Sequence, residues 1–460
     1  MAEPAKKTMI DEIFSFGTLK AIFIVGLLGL FGYIGINFWE RLLPIFGSVV
    51  LGYFAFKIWK HYVQQKFIAG ITWVLLEIIP PRDVLRSPKA MELFFTNALY
   101  HQSQKGAVEM YWQGAVWFWY SLELVSIDGQ VHFYIRTPSR IQDLITTQIY
   151  AQYPQAQVKV AEDYTLGVDE ISKKSSWNLW GCEFALKEND PHPIKTYVDF
   201  GLDKDPKEEY KVDPISSVIE LFSSLKKGEQ MWSQIVIRPT KKTFHTPGTL
   251  FGKHDWVKEA NLEILKLLRP YTAKYPPDTE GKSRTEIRLP DFLKLNVTGI
   301  GNKISKLGFD CGIRVAYVAK KEVFNNNNQK NLRLMWRQYT NPDSNSFERL
   351  HATQGDIYPW SIFIFPDKNL LQVKDRFLNE YRERSFFYIP LRHSIFSHNN
   401  FLSFWPISPG IFPGYLHVHT FVLNTEELAT IFHFPGQILQ VPTLERIESK
   451  EAAPPTNLPS

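Results

Sequence analysis

A chain of 460 residues exceeds what one hydrophobic core usually serves, so two or three folded units are expected. Fifty-two Lys and Arg against 47 Asp and Glu leave a net charge of +5, too mild for a dedicated nucleic-acid surface or an acidic tail. Apolar residues at 44% exclude general disorder, and two cysteines, Cys182 and Cys311, exclude a disulfide scaffold or a four-thiolate zinc site.

The apolar residues are unevenly spread. Ala21 to Trp39 is a run of nineteen residues without a charge, about 28 Å as a helix. Glu40 and Arg41 interrupt it, and a second apolar stretch runs from Leu42 to Phe56. This pattern predicts a transmembrane helical hairpin over residues 19–66, with its tip near Glu40 to Pro44, after an N-terminal segment 1–18. Seven basic residues against four acidic ones in positions 1–66 place +3 of the net charge there, on the flanks. The positive-inside rule then places both termini and the main domain on the cytoplasmic side of the inner membrane, with the lipid bilayer as a partner.

The segment Ile71 to Ile79 reads as a buried strand. Ser87-Pro88 opens a helix whose Met91, Phe94, Phe95 and Ala98 share a face. Val116 to Val125 and Val131 to Arg136 are strand-like and are joined by Asp128-Gly129, a hairpin turn signal. Pro138 opens a second helix, and Gln157 to Val160 is a short strand. The order β-α-β-β-α-β predicts a ferredoxin-like α+β domain over residues 67–170.

Residues 171–440 are expected to hold a second α+β sandwich. Its elements include a helix from Pro214 to Leu225, strands at Gln230 to Arg238 and Gly308 to Lys320, and a helix from Leu370 to Arg384. Leu416 to Leu423 reads as a strand, and Asn424 with Glu427 three residues on reads as a capping box. Residues 441–460 form a Pro-rich, polar tail with the composition of a disordered segment.

The search for chemistry yields no catalytic, cofactor-binding or metal-ligating residue and no cofactor. Gly248 to His254 and Gly299 to Lys303 come near a phosphate-binding loop, but both miss its spacing and its Ser/Thr. His417 and His419 share one strand face that a metal would fit, yet neither Cys nor a paired carboxylate accompanies them, so hydrogen-bonded or surface histidines are the simpler reading. Cys182 and Cys311 read as inert buried thiols. The aromatics Trp117, Trp119, Tyr120, Phe133 and Tyr134 read as core rather than as a base-stacking platform, and Arg376, Arg382 and Arg384 as a solvated face able to touch anionic lipid.

The run WFWYSLELVSIDGQVHFYIRTPSRIQDLITTQIYAQYPQAQVKVAEDYT resembles a domain of unknown function of candidate-phyla bacteria. The same is true of GEQMWSQIVIRPT, KISKLGFDCGIRVAYVAKKEVF and LNTEELATIFHFPG with the tail after it. In that family the domain precedes or accompanies a HerA/conjugation-type ATPase resembling those of type IV secretion. The resemblance implies a non-enzymatic module that docks or organises such an ATPase in trans at the inner membrane. The alternative is a membrane-bound nucleic-acid-binding protein assisting DNA transfer. The +2 carried by the residues after position 66 suits protein contact better than DNA.

Overall fold

A computed structural model describes residues 36–81, 86–100, 105–204, 213–240, 244–245, 253–274, 285–287, 289–353, 366–384, 386–388, 420–436 and 444. In chain order the main elements are α1 (Ile36–Ala69), β1 (Trp73–Ile79), α2 (Lys89–Phe94, continued by a π-helical turn, Phe95–Leu99) and α3 (Ala107–Tyr111). Next come β2 (Tyr120–Ile127), β3 (Gln130–Pro138), α4 (Gln142–Gln152), β4 (Gln157–Ala161), β5 (Trp177–Leu186), α5 (Pro214–Ser223) and β6 (Glu229–Pro239). Two small ribbons, β7 (Phe244–His245) with β8 (Lys253–His254) and β9 (Thr272–Lys274) with β10 (Thr285–Ile287), flank α6 (Trp256–Leu268). The chain continues through α7 (Asp291–Ser305), β11 (Gly308–Lys320), α8 (Asn326–Arg333), β12 (Phe347–Ala352), α9 (Pro366–Glu383), β13 (Phe421–Asn424) and α10 (Thr425–Ile431).

Contacts divide the chain into two units, one holding the residues up to Ile68 with Lys105–Ala115, the other the rest. In the first, the Trp59 indole N–H donates to the Tyr111 carbonyl at 3.2 Å, and Phe56 lies 5.7 Å from the Tyr111 ring. Gly114, at φ +71°, sits against the Val63 carbonyl where any Cβ would collide.

This unit corrects the expected hairpin. Residues 40–56, read as the tip and second span, lie within the single helix α1, which continues unbroken through Pro44 to Ala69. The apolar run of that helix stops at Phe56, and Lys57, Lys60, His61, Gln64, Gln65 and Lys66 follow within it. Among the described residues no helix is long and apolar enough to cross a membrane. The inner-membrane localisation and its sidedness rested on that hairpin and are withdrawn with it. Residues 1–35, most of the first expected span, lie outside the described residues, as does the tail beyond Leu444.

The second unit is α+β. In place of two sandwiches, the described residues hold one nine-stranded antiparallel sheet, in the order β12-β5-β11-β6-β2-β3-β1-β4, with β13 also paired to β11. Within it the order β4-β1-β3-β2 is that of a split βαβ motif, and β12-β5-β11-β6 repeats it with residues 240–307 inserted between the third and second strands. The two halves meet where β2 pairs with β6, and Glu123 lies directly opposite Gln234. The Asp128-Gly129 turn closing β2 and β3 has positive φ at both residues, 54° and 87°, as a two-residue hairpin of the observed twist requires.

One face of the sheet is apolar. Leu76, Leu122, Phe133, Ile235, Ile313 and Phe184 project from it and pack against α2, α4, α5, α8 and α10. The helices supply Phe94, Ile145, Ile149, Ile219, Phe222, Leu332 and Leu428 to the same cluster. Asp213 caps α5 by accepting from the Ile215 amide, and Asn424 with Glu427 forms the capping box of α10.

Candidate functional site: the polar face of the sheet

The other face follows from strand alternation. In β6 the residues Met231, Ile235 and Ile237 point to the apolar side, so Gln230, Trp232, Gln234, Val236 and Arg238 point away from it. Antiparallel pairing puts directly opposed residues on one face. The register therefore lays Lys159, Glu77, Tyr134, Glu123, Gln234, Arg314 and Glu183 in a single row across seven strands. Glu123, Glu183, Gln234 and Arg314 are buried, because α9 and the turn around Tyr164 cover the middle of the row.

Glu123 sits at the centre, fully buried. Its Oε1 accepts from Ser121 Oγ at 2.5 Å, Arg384 Nε at 2.9 Å and Gln234 Nε2 at 3.2 Å. Its Oε2 accepts from the Tyr164 hydroxyl at 2.9 Å and Arg384 Nη2 at 3.1 Å. Arg384 also donates to Asp163 from Nη1 at 2.5 Å and from Nη2 at 3.2 Å. Because Tyr164 donates to Glu123, the 3.0 Å contact between the Tyr164 and Tyr381 hydroxyls has Tyr381 as its donor. A second pair lies two strands away, where Arg314 donates to Glu183 at 2.7 Å and to the Glu380 carbonyl of α9 at 3.2 Å.

These contacts set the ionisation states. Burial pushes the Glu123 carboxyl up, but the Arg384 guanidinium outweighs it and holds the group below the usual carboxylate range. Asp163 is lowered by the same balance, and Arg384 is raised well above its ordinary value by the two carboxylates despite burial. Burial, and then the Glu123 charge, push the Tyr164 and Tyr381 phenols well above theirs. At the row's far end His132 Nδ1 lies 2.7 Å from Glu77 Oε1, and Lys159 is 3.3 Å from Oε2. Glu77, pushed up by burial, is brought net below its ordinary value by these two partners.

Two glycines seat the covering segment. A Cβ at Gly181 in β5 would collide with the Phe377 ring of α9, and one at Gly312 in β11 with the Phe386 ring. Phe386 also lies under the Arg314 guanidinium, 3.8 Å from it. Arg384 itself has φ 51°, a left-handed conformation that costs a non-glycine residue about 1–2 kcal/mol. The network its side chain makes holds it there.

The expected solvated cluster of Arg376, Arg382 and Arg384 is corrected by this geometry. Arg384 is fully buried, Arg382 donates to the Thr165 and Val168 carbonyls, and Arg376 bonds Glu380 at 3.0 Å. Of the aromatics, Tyr120 and Phe133 are in the apolar core, while Tyr134 stacks on Tyr164 at 5.4 Å on the polar face. Trp119 is buried against Trp73 and Tyr388. Cys182 and Cys311 are buried on the apolar side, outside any disulfide, and burial pushes the Cys311 thiol well up. Gly299 and Gly301 lie in α7, and Lys303 there is buried against Glu427 at 3.1 Å. His417 and His419 fall outside the described residues, and among those described no group of three metal-ligating side chains is found. His433 is engaged by Asp213 and the Ala429 carbonyl.

A sheet of two split βαβ halves, with one apolar face and one face whose buried row of ion pairs runs through a second apolar cluster, defines a large α+β scaffold. The sequence profile of Domain of unknown function (DUF8128) matches residues 76–354, more than half of the chain. The chain belongs to this family. A comparison with curated proteins finds no match.

Proposed function

We propose that this protein is a non-enzymatic docking module for a HerA/conjugation-type ATPase acting in trans. The observation that carries the non-enzymatic part is the closure of the polar row. General acids and bases work with pKa values near the operating pH. Here Glu123 and Asp163 are driven down, while Arg384, Tyr164 and Tyr381 are driven up, each by a partner inside the fold or by burial. This pattern supports a role in orienting and binding rather than in proton transfer.

The ATPase partner is supported by the resemblance of the stretches around residues 117–165, 228–240 and 303–324 to a domain that travels with such motors. Near-neutral charge outside the first 66 residues suits contact with another protein. The test is affinity purification of the tagged full chain from its own cells. A HerA-class ATPase in stoichiometric amount is the expected result; its absence under gentle extraction at low salt overturns the partner assignment.

A further inference from the structure

At one corner of the sheet a buried lysine lacks the partner that burial demands. Lys374 of α9 is 8% exposed, and its Nζ makes one bond, donating to Asn178 Oδ1 at 2.7 Å. That acceptor is a neutral amide, which also takes the Leu179 backbone N–H at 2.9 Å. Among the described residues, the other lysine and arginines buried to this degree each have a carboxylate: Lys303 has Glu427, Arg314 has Glu183, and Arg384 has Glu123. The surroundings of Lys374 are hydrocarbon. Leu371, Phe377 and Leu378 stand three or four residues from it, on the same helical face, and belong to the second apolar cluster with Trp177 and Leu179 of β5. The charge that acts on it is like, not unlike. Ala319 of β11 lies opposite Asn178, and just past that strand the Lys321 amide donates to the Ser176 carbonyl at 2.8 Å. This register brings Lys321 to the same corner, where its Nζ donates to the Ser172 and Lys173 carbonyls at 3.3 and 3.1 Å. The other charged groups nearby are engaged elsewhere or solvated. Asp375 accepts from the Ile171 amide and from Asn379, Arg376 pairs with Glu380, and Asp169, Glu170, Lys173, Lys174 and Glu322 are exposed. Burial, and then the Lys321 charge, hold the Lys374 ammonium below the usual lysine range.

Desolvation and a neighbouring cation are the two means by which a lysine becomes nucleophilic at neutral pH. We propose that Lys374 is an acylation site, its free amine taking an acyl group from a thioester donor. The nitrogen lone pair adds to the thioester carbonyl, and the C–N bond forms as the C–S bond breaks. The sulfur leaves as thiolate and takes up the proton the amine gives off, so the products are an amide and a thiol. The amide suits this corner better than the ammonium does. It sets no charge against Lys321, and its one N–H remains available to Asn178 Oδ1. Nothing in this assignment depends on the ATPase partner.

The test treats the full chain with S-acetyl-N-acetylcysteamine, a small thioester, at neutral pH and follows each lysine by peptide mass mapping. Lys374 is expected to acetylate about tenfold faster than the exposed Lys266 and Lys294, since each unit by which a lysine pKa falls leaves tenfold more free amine. Equal or slower reaction at Lys374 overturns the site. Lys321→Gln removes the neighbouring cation and is expected to slow Lys374 severalfold with Lys266 and Lys294 unchanged, whereas Lys321→Arg keeps the parent rate. Labelling of Lys374 that ignores the charge at position 321, or that speeds up when it is lost, overturns the assignment. In denaturant the advantage of Lys374 over the two exposed lysines is expected to vanish; its persistence would place the cause in the local sequence instead of the folded corner, and overturns it as well.

Discussion

The two faces of the sheet are covered by different mixtures: one mostly by hydrocarbon, the other by a smaller apolar cluster with a row of ion pairs through it. Side chains of Leu122, Phe133, Ile235 and Ile313 bury hydrocarbon against five helices, and any neighbour of similar shape serves. One residue along each strand, Glu123, Tyr134, Gln234 and Arg314 need particular partners at particular distances. The apolar face therefore provides stability that tolerates change, and the polar face provides specificity that does not. A buried ion network contributes little net stability over a hydrophobic replacement, but removing one member leaves the others uncompensated.

That asymmetry predicts where substitution does most damage. Arg384→Ala strands two carboxylates, one of them fully buried, and is expected to cost about 3–5 kcal/mol in denaturant unfolding. Its pH dependence identifies the cause. In the parent chain Glu123 and Asp163 have depressed folded-state pKa values. Their contribution is complete above the ordinary carboxylate value of about 4 and is lost as pH falls through the folded values. Without the guanidinium, burial and the Asp163 charge outweigh the bond from Ser121 and raise Glu123, so the variant loses less stability than the parent as pH falls, while Glu77 and Asp213 contribute the same acid loss to both. A variant that loses as much as the parent on acidification would show that Arg384 is not what holds Glu123 ionised.

On the other face Ile235→Ala is expected to cost about 2–4 kcal/mol, with the pH dependence of the parent and with all strands loosened together. Gly312→Ala returns to the polar side at smaller scale. The new methyl meets the Phe386 ring, costing about 1–3 kcal/mol by overpacking. The double change Gly312→Ala with Phe386→Ala should recover part of that loss, since the two share one space. Strict additivity in thermal unfolding would mean that the ring does not occupy the glycine's place.

Much of this scaffold was legible in local pattern. The Asp128-Gly129 turn, the apolar run of β1 and the Asn424–Glu427 cap each declare themselves within a few residues. The alternation Gln230, Trp232, Gln234, Val236, Arg238 also stood in the sequence, but a polar strand face ordinarily meets water. Its cover comes from far along the chain: Arg384 lies 261 residues from Glu123 and 221 from Asp163. No periodicity encodes such a pairing. Gly181 and Gly312, mid-strand glycines, were the available hint, because a strand glycine often marks close approach by another element. The hairpin expectation failed for a related reason. An apolar run with a charged pair inside it suggests a turn, but α1 runs through Glu40-Arg41 and Pro44 unbroken, so the pair marks no chain reversal.

The finest test of the contrast is Tyr381→Phe. It deletes one hydroxyl and leaves the ring that packs on Trp232 at 5.3 Å. Tyr381 donates to Tyr164, and Tyr164 donates to Glu123, so the hydroxyl lost is the outermost of a chain. Its removal should cost about 1 kcal/mol, because Tyr164 loses an incoming bond but keeps its own donor engaged. Tyr164→Phe removes the middle of the chain and orphans the Tyr381 hydroxyl in a buried place, so it should cost more, about 2 kcal/mol. If Tyr381→Phe proves the costlier of the two, the direction of donation along the chain is the reverse of the one the Glu123 carboxylate imposes.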